Sequence, residues 1–319
     1  MTQRVCNFSD PFIDAVVLSS IVYRLTSMLG SAKTDLSKNP QMTTNIAGEA
    51  QSRAAFTYNA AADSYDASPL GFWNYFGRRT IELLSLPIGA RVLDVCCGAG
   101  ASALPAAKSV GPTGKVIGID LSEKLLELAR TKATGLTNIE FEPGDMLDLR
   151  FSNDSFDAVV CVFGIFFVPD MEMAVRQLWR CVRPRGQLAV TTWGPNFFEP
   201  ANSAFWRSIK KVRPDLHKAF NPWDRISDPV SLEKILNGGG VESPKIFAEN
   251  HLHPVKSPED WWTIVLGTGY RATIEQLSQS EREMVKEANL DFVRDENISS
   301  IEANVLYALA TKPPGSDDQ

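Results

Sequence analysis

Histidine is scarce in this sequence: of 319 residues, only His217, His251 and His253 carry an imidazole, and none lies near a cysteine pair. A zinc site built on histidines, or a histidine relay, therefore has few places to form. The five cysteines are Cys6, Cys96, Cys97, Cys161 and Cys181, an odd count without regular spacing. That is not a disulfide framework, and it points to a reducing, cytoplasmic setting. Adjacent Cys96 and Cys97 lack the C-x-x-C spacing of zinc and thioredoxin-like motifs, so no metal is expected there and small buried thiols are the better reading. Positive charge is not in excess either: 32 Lys and Arg against 38 Asp and Glu leave a net charge of -6, which argues against a nucleic-acid partner. Long apolar runs are missing too. The most apolar stretch, residues 11–30, is interrupted by Asp14 and Arg24, too short to span a bilayer that needs about 20 apolar residues. Asp10 and Asp14 are also unlike the start of a secretory signal. The stretch predicts an accessory helix docked on the domain or on a second subunit, which leaves a homodimer open. Residues 31–52 are polar and read as a linker, so an N-terminal extension covers residues 1–47 and a single domain covers 48–319.

The pattern changes from Gly48 onward. Residues 53–64 and 72–86 predict helices. The segments 92–95, 115–120, 138–142, 156–162 and 187–193 are short, β-branched and nearly continuous in apolar residues, as strands buried on both faces are. Helical stretches at 102–109, 122–133 and 171–182 alternate with them, the second opening on a Ser122–Glu123 cap. Such alternation predicts a doubly wound, mostly parallel sheet. Beyond Trp193 come helices at 203–212 and 229–237, a strand at 243–250, helical text over 258–294 and a last strand at 305–311.

The first strand-to-helix turn, V-L-D-V-C-C-G-A-G-A-S (92–102), stands where open parallel sheets hold ligands. Gly98, Gly100 and Ala103 also match the G-x-G-x-x-A form of a dinucleotide fingerprint, and Asp120 follows at the distance of its ribose acid. A nicotinamide-dependent oxidoreductase is therefore a competing reading. Against it stand Asp94 within the first strand and a second acidic turn, P-G-D-M (143–146), after the third.

Taken in order, V-L-D-V-C-C-G-A-G, V-I-G-I-D-L-S, P-G-D-M and F-D-A-V-V-C-V-F-G-I-F-F-V-P-D-M resemble a class I S-adenosylmethionine-dependent methyltransferase. The likeness is closest to the small-molecule group that includes quinone-biosynthesis-type enzymes, and it covers residues 53 to about 193. It implies a Rossmann-like seven-stranded sheet with a helical lid over about 196–226 and 256–298, and S-adenosylmethionine as cofactor. It further implies that Asp94 anchors the methionine end, that Cys96, Gly98 and Gly100 form the turn against it, and that Asp120 accepts from the ribose. Leu121 and Met146 would sandwich the adenine and Asp145 would accept from its amino group, with Phe163 at the end of the fourth strand. Tyr58 and Tyr65, seven residues apart and so on one helical face, would cover the cofactor near its sulfonium and carboxylate.

The acceptor implied is a small, planar or hydrophobic molecule. Its candidate residues are Phe167, Trp193 and Trp223, drawn from a wider aromatic set that includes Phe166, Phe197, Phe198, Phe205, Trp206, Phe220, Trp261 and Trp262. No catalytic base is assigned to any histidine. A protein that binds S-adenosylmethionine without turnover is the other alternative, and saturable binding without transfer would distinguish it.

Overall fold

The computed structural model describes residues 40–315, with side chains from Gly48 onward. The accessory helix expected at 11–30 and the first part of the linker lie outside the described residues. The rest of the linker is not a linker: helix α1 runs Pro40–Ala61. Its polar residues and Ala-rich composition suit a helix that presents only a narrow apolar face. Helix α2 (Phe72–Glu82) follows and stops short of Pro87, which disfavours helical geometry before it.

Five strands alternate with three helices: β1 (Arg91–Val95), α3 (Ala103–Val110), β2 (Lys115–Asp120), α4 (Glu123–Lys132), β3 (Ile139–Pro143), β4 (Phe156–Val162), α5 (Met171–Cys181) and β5 (Val182–Trp193). The chain continues through α6 (Ala201–Val212), α7 (Pro229–Gly238), β6 (Lys245–Glu249), β7 (Leu252–Pro254), α8 (Pro258–Leu266), α9 (Arg271–Ile274), α10 (Gln279–Asp295), β8 (Ser300–Glu302) and β9 (Val305–Thr311). The main sheet has seven strands in the order β3-β2-β1-β4-β5-β9-β6. The first five strands pair in parallel, and β9 lies antiparallel between β5 and β6. This is the doubly wound, Rossmann-like α/β architecture that the sequence predicts. The three-residue strands β7 and β8 pair in a small ribbon that the sequence does not suggest.

Strand β1 is buried along Val92–Val95 because it is paired on both sides and covered on both faces. Its neighbours β2 and β4 leave it in opposite directions along the sheet, so strand order reverses at β1 and a crevice opens beyond their carboxyl ends. Helix α2 lies close over the turn after β1: a Cβ placed on Gly77 would come within 2.5 Å of the Ala101 backbone.

The text read as helical from 258 to 294 is three helices, because Gly267 caps the first and Ser278, with Glu281, forms a capping box that starts the last. A buried relay joins three of the late helices: Trp261 Nε1 donates to Asn289 Oδ1 at 2.9 Å, and Asn289 Nδ2 donates to Ser208 Oγ at 2.9 Å. Each polar atom in it is satisfied, so it fixes how α6, α8 and α10 pack. Phe198, Phe205 and Trp261 are fully buried, as hydrophobic packing among these elements requires.

Candidate functional site

The crevice at the reversal of strand order encloses about 880 Å³, the open space at its mouth included. Its floor comes from the turn after β1, through Cys96, Cys97, Gly98, Ala101 and Ser102. The ends of β2, β3 and β4 add Asp120 and Leu121, Gly144 to Met146, and Val162 to Gly164. Gln51, Ala54, Ala55 and Tyr58 of α1 form one wall, completed by Tyr65, Trp73, Phe167 and Val168.

The turn is tight. Cys96, Gly98 and Gly100 all have positive φ, at 62°, 52° and 84°. For glycine this costs nothing, whereas Cys96 adopts the left-handed region with a side chain. Its thiol packs against Gly164, where a Cβ would fall 2.7 Å from Cys96 Sγ and 2.9 Å from Cys161 Sγ. Cys97 packs likewise toward Gly118, whose missing Cβ would lie 2.9 Å from Cys97 Sγ. A hydrogen bond with Cys161 and burial push the Cys96 thiol up, and burial pushes the Cys97 thiol up. Neither is poised as a thiolate, the form that binds metal or attacks. Among the described residues no group of three or more ligating side chains exists. Both thiols pack within the turn, and both cysteines also line the crevice.

The three acids stand at the ends of β1, β2 and β3, each held differently. Asp120 accepts from Gly98 N at 2.9 Å and from Ser122 N at 2.8 Å, so it ties the first turn to the second. Desolvation raises its pKa against the pull of the Ser122, Gly98 and Leu121 amides. Asp145 accepts from Leu147 N at 2.9 Å and from the Gln51 amide of α1. Asp94 is 1% exposed and lies beneath the floor, where Ser102 Oγ donates to its Oδ2 at 2.6 Å. Its other oxygen, Oδ1, has no partner of hydrogen-bonding geometry. Burial pushes its pKa up to about 7, against Ser102 and the Ala103 amide, and nearby Asp120 adds to the push.

That shift has a sign. A carboxyl whose folded pKa lies above its unfolded value binds more protons folded than unfolded, so its contribution to stability falls as pH rises between the two values. Asp94 therefore favours the folded ligand-free protein below about pH 4 and loses that contribution as pH climbs toward 7. Asp94→Asn should remove this part of the pH dependence. Ligand-free melting curves from pH 4 to 8 check it: the difference between wild type and variant should change across the window, and a constant difference would contradict the assignment.

The aromatic wall is continuous. Tyr65 stacks on Trp73 with centroids 5.5 Å apart, and Tyr58 meets Tyr65 and Phe167 edge-on at 6.3 and 5.4 Å. Burial raises the pKa of both tyrosines, so both stay neutral hydroxyl groups. Tyr65 reaches this place by another route than the sequence spacing suggests. Helix α1 ends at Ala61, so Tyr65 lies in the following turn and not on a shared helical face.

Ten of the sequence-predicted site residues line the crevice: Tyr58, Tyr65, Cys96, Gly98, Asp120, Leu121, Asp145, Met146, Phe163 and Phe167. Four do not. Asp94 sits one layer below, as described. Gly100 turns toward Leu104 and Phe141, from which a Cβ would be 3.1 and 3.4 Å away. Trp193 is stacked behind Phe163 at 4.0 Å, so it backs the wall without forming it. Trp223 packs on Phe166 and Phe197, away from the crevice. Gln51, Trp73, Ser102 and Val168 line it without having been singled out in the sequence. The histidines lie elsewhere: His251 stacks on Tyr75, His253 Nε2 hydrogen-bonds the Pro69 carbonyl at 2.7 Å, and His217 faces Trp206. Among the described residues, no lysine, arginine or histidine lines the crevice.

A family model described as a methyltransferase domain matches residues 92–186. A demethylmenaquinone methyltransferase from Listeria monocytogenes serotype 4a (strain HCC23) is 36% identical over 140 residues, which are 42% of this chain and 59% of that protein. One from Staphylococcus aureus (strain JH9) is 38% identical over 111 residues, 35% of this chain and 46% of that protein. The chain thus spans about half the length of these curated relatives. Among solved structures, the YcgJ protein from Bacillus subtilis superposes with a TM-score of 0.50 at 19% identity, covering 76% of this chain and all of that one. At that identity the likeness bears on the fold alone.

Proposed function

We propose, from the methyltransferase-domain match over residues 92–186, that the protein is a class I, S-adenosylmethionine-dependent methyltransferase that transfers a methyl group to a small, planar or hydrophobic acceptor. The observation that carries the proposal is the crevice itself, where acids at the ends of three successive strands meet a glycine turn and an aromatic wall. The residues present fit the cofactor. Asp94 Oδ1 is a buried acceptor without a donor, as an ammonium or a bridging water would supply. A Cβ on Gly98 would lie 3.1 Å from Tyr65 Oη, so the missing side chain keeps that gap open.

When bound, S-adenosylmethionine supplies an electrophilic methyl group on a sulfonium sulfur. Asp94 would hold the methionine end, Asp120 would accept from the ribose, and Asp145 from the adenine amino group, displacing the Gln51 amide. Leu121 and Met146 would flank the adenine. The faces of Tyr58, Tyr65 and Phe167 suit a cation and keep water out. In-line displacement needs alignment more than covalent help. We assign no catalytic base, and an acidic acceptor such as a phenol or hydroquinone would need little general-base help. We assign residues 48–319 to this domain, with the segments about 196–226 and 256–298 as its lid. The four described cysteines are free thiols, which suits the cytoplasmic setting we propose. No helix among the described residues is long and apolar enough to cross a membrane.

Incubation with methyl-labelled S-adenosylmethionine and an extract of the source organism tests the reading, with demethylated quinols as the first defined acceptors. Label should appear in a solvent-extractable small molecule. Saturable cofactor binding with no label transferred would favour a binding protein over an enzyme.

A further inference from the structure

A free amino acid end carries a carboxylate as well as an ammonium, and the described residues that line the crevice offer that carboxylate no cation. Its side-chain charges come from acids. A carboxylate brought into such surroundings needs hydrogen-bond donors, because burying it without them costs several kcal/mol. Besides the Tyr58 and Tyr65 hydroxyl groups, the described lining holds one buried side-chain donor without a partner. Trp73 lines the crevice, is 7% exposed, and its Nε1–H meets no acceptor. Leaving such a group unpaired is itself costly, and buried polar groups are nearly always paired. Its position is fixed by packing: Tyr65 stacks parallel on it, Phe163 and Trp193 meet it at 5.5 and 5.8 Å, and Phe72 at 4.7 Å. Through Tyr65, whose hydroxyl approaches Gly98, Trp73 stands at the β1 end of the crevice, away from Asp145 at the β3 end.

We infer that the Trp73 indole N–H is the donor that receives the carboxylate of the cofactor, in place of a basic residue. The inference rests on the S-adenosylmethionine reading of the crevice. It assigns the methionine end two complementary groups, the orphaned acceptor Asp94 Oδ1 and the orphaned donor Trp73 Nε1. One takes the ammonium side and the other the carboxylate.

The test compares two sulfides, S-adenosylhomocysteine and 5′-methylthioadenosine, which share the nucleoside but differ in the amino acid end. Calorimetry on wild type and Trp73→Phe reads both. The variant keeps an aromatic ring against Tyr65 but loses the N–H together with part of the indole's volume, and 5′-methylthioadenosine reads out that packing loss separately. It should bind S-adenosylhomocysteine about 10- to 100-fold more weakly, the range for a hydrogen bond to a charged group, and 5′-methylthioadenosine about equally. Equal weakening of both ligands would show a packing role and overturn the inference; so would unchanged binding of S-adenosylhomocysteine. If wild type binds neither sulfide, the cofactor reading fails and the inference falls with it. A second readout needs no variant. Of the seven indole N–H resonances of the ¹⁵N-labelled protein, one should move strongly downfield with S-adenosylhomocysteine and not with 5′-methylthioadenosine. Identical indole shifts with the two ligands would contradict the assignment.

Discussion

Asp120→Ala is expected to weaken S-adenosylmethionine binding by about 1–3 kcal/mol, roughly five- to 150-fold, the range for truncating a buried hydrogen-bonding partner. The expectation has two sources. The carboxylate is the proposed acceptor for the ribose hydroxyl groups, and it also holds the two loops that shape the crevice. Gly98 N and Ser122 N both donate to it, at 2.9 and 2.8 Å, and both would lose their acceptor. The ligand-free variant should therefore melt lower than wild type as well. Asp120→Asn keeps one acceptor oxygen and should fall between the two. Calorimetry on a folded Asp120→Ala protein decides the matter, and unchanged affinity would remove Asp120 from the site.

Gly77→Ala should be the most damaging small substitution in α2. The added methyl would lie 2.5 Å from both the carbonyl carbon and the oxygen of Ala101, a separation that backbone atoms cannot relieve by rotating. Either α2 or the turn that carries Ala101 must shift, at a cost of about 1–3 kcal/mol for overpacking. Because Ala101 and Trp73 both line the crevice, the shift should weaken cofactor binding along with stability. Gly269→Ala is the matched control, since nothing stands within 4 Å of its added Cβ. Thermal unfolding should show a clear drop for Gly77→Ala and little change for Gly269→Ala. Equal melting temperatures would mean that α2 does not press on the turn as described.

Much of this architecture is legible in the sequence, for physical reasons that also mark where legibility ends. Strands β1, β2, β4 and β9 announce themselves because a strand buried on both faces must be apolar throughout. Asp94 and Asp120 stand out because they interrupt or end those runs, and Asp145 because it stands in the turn after β3. Helix α1 does not announce itself between Pro40 and Ser52, because a polar helix with a narrow apolar face has the composition of a linker. Its Gln51 contact with Asp145 spans 94 residues of chain and has no local signature. Trp73 reads as an ordinary core residue of an amphipathic helix, and only the packed structure reveals that its N–H is unpaired. The ranking of aromatics fails similarly. Phe163 and Trp193 end neighbouring strands, but which ring faces the crevice depends on their stacking, with Phe163 in front.

The central claim, that the crevice holds S-adenosylmethionine, is tested most directly by titrating the wild-type protein with S-adenosylmethionine and, separately, with NAD in the same calorimeter. The account predicts saturable one-to-one binding of S-adenosylmethionine, unaffected by NAD and weakened in Asp120→Ala. NAD binding that competes with S-adenosylmethionine, or no binding of S-adenosylmethionine by the folded protein, would contradict it.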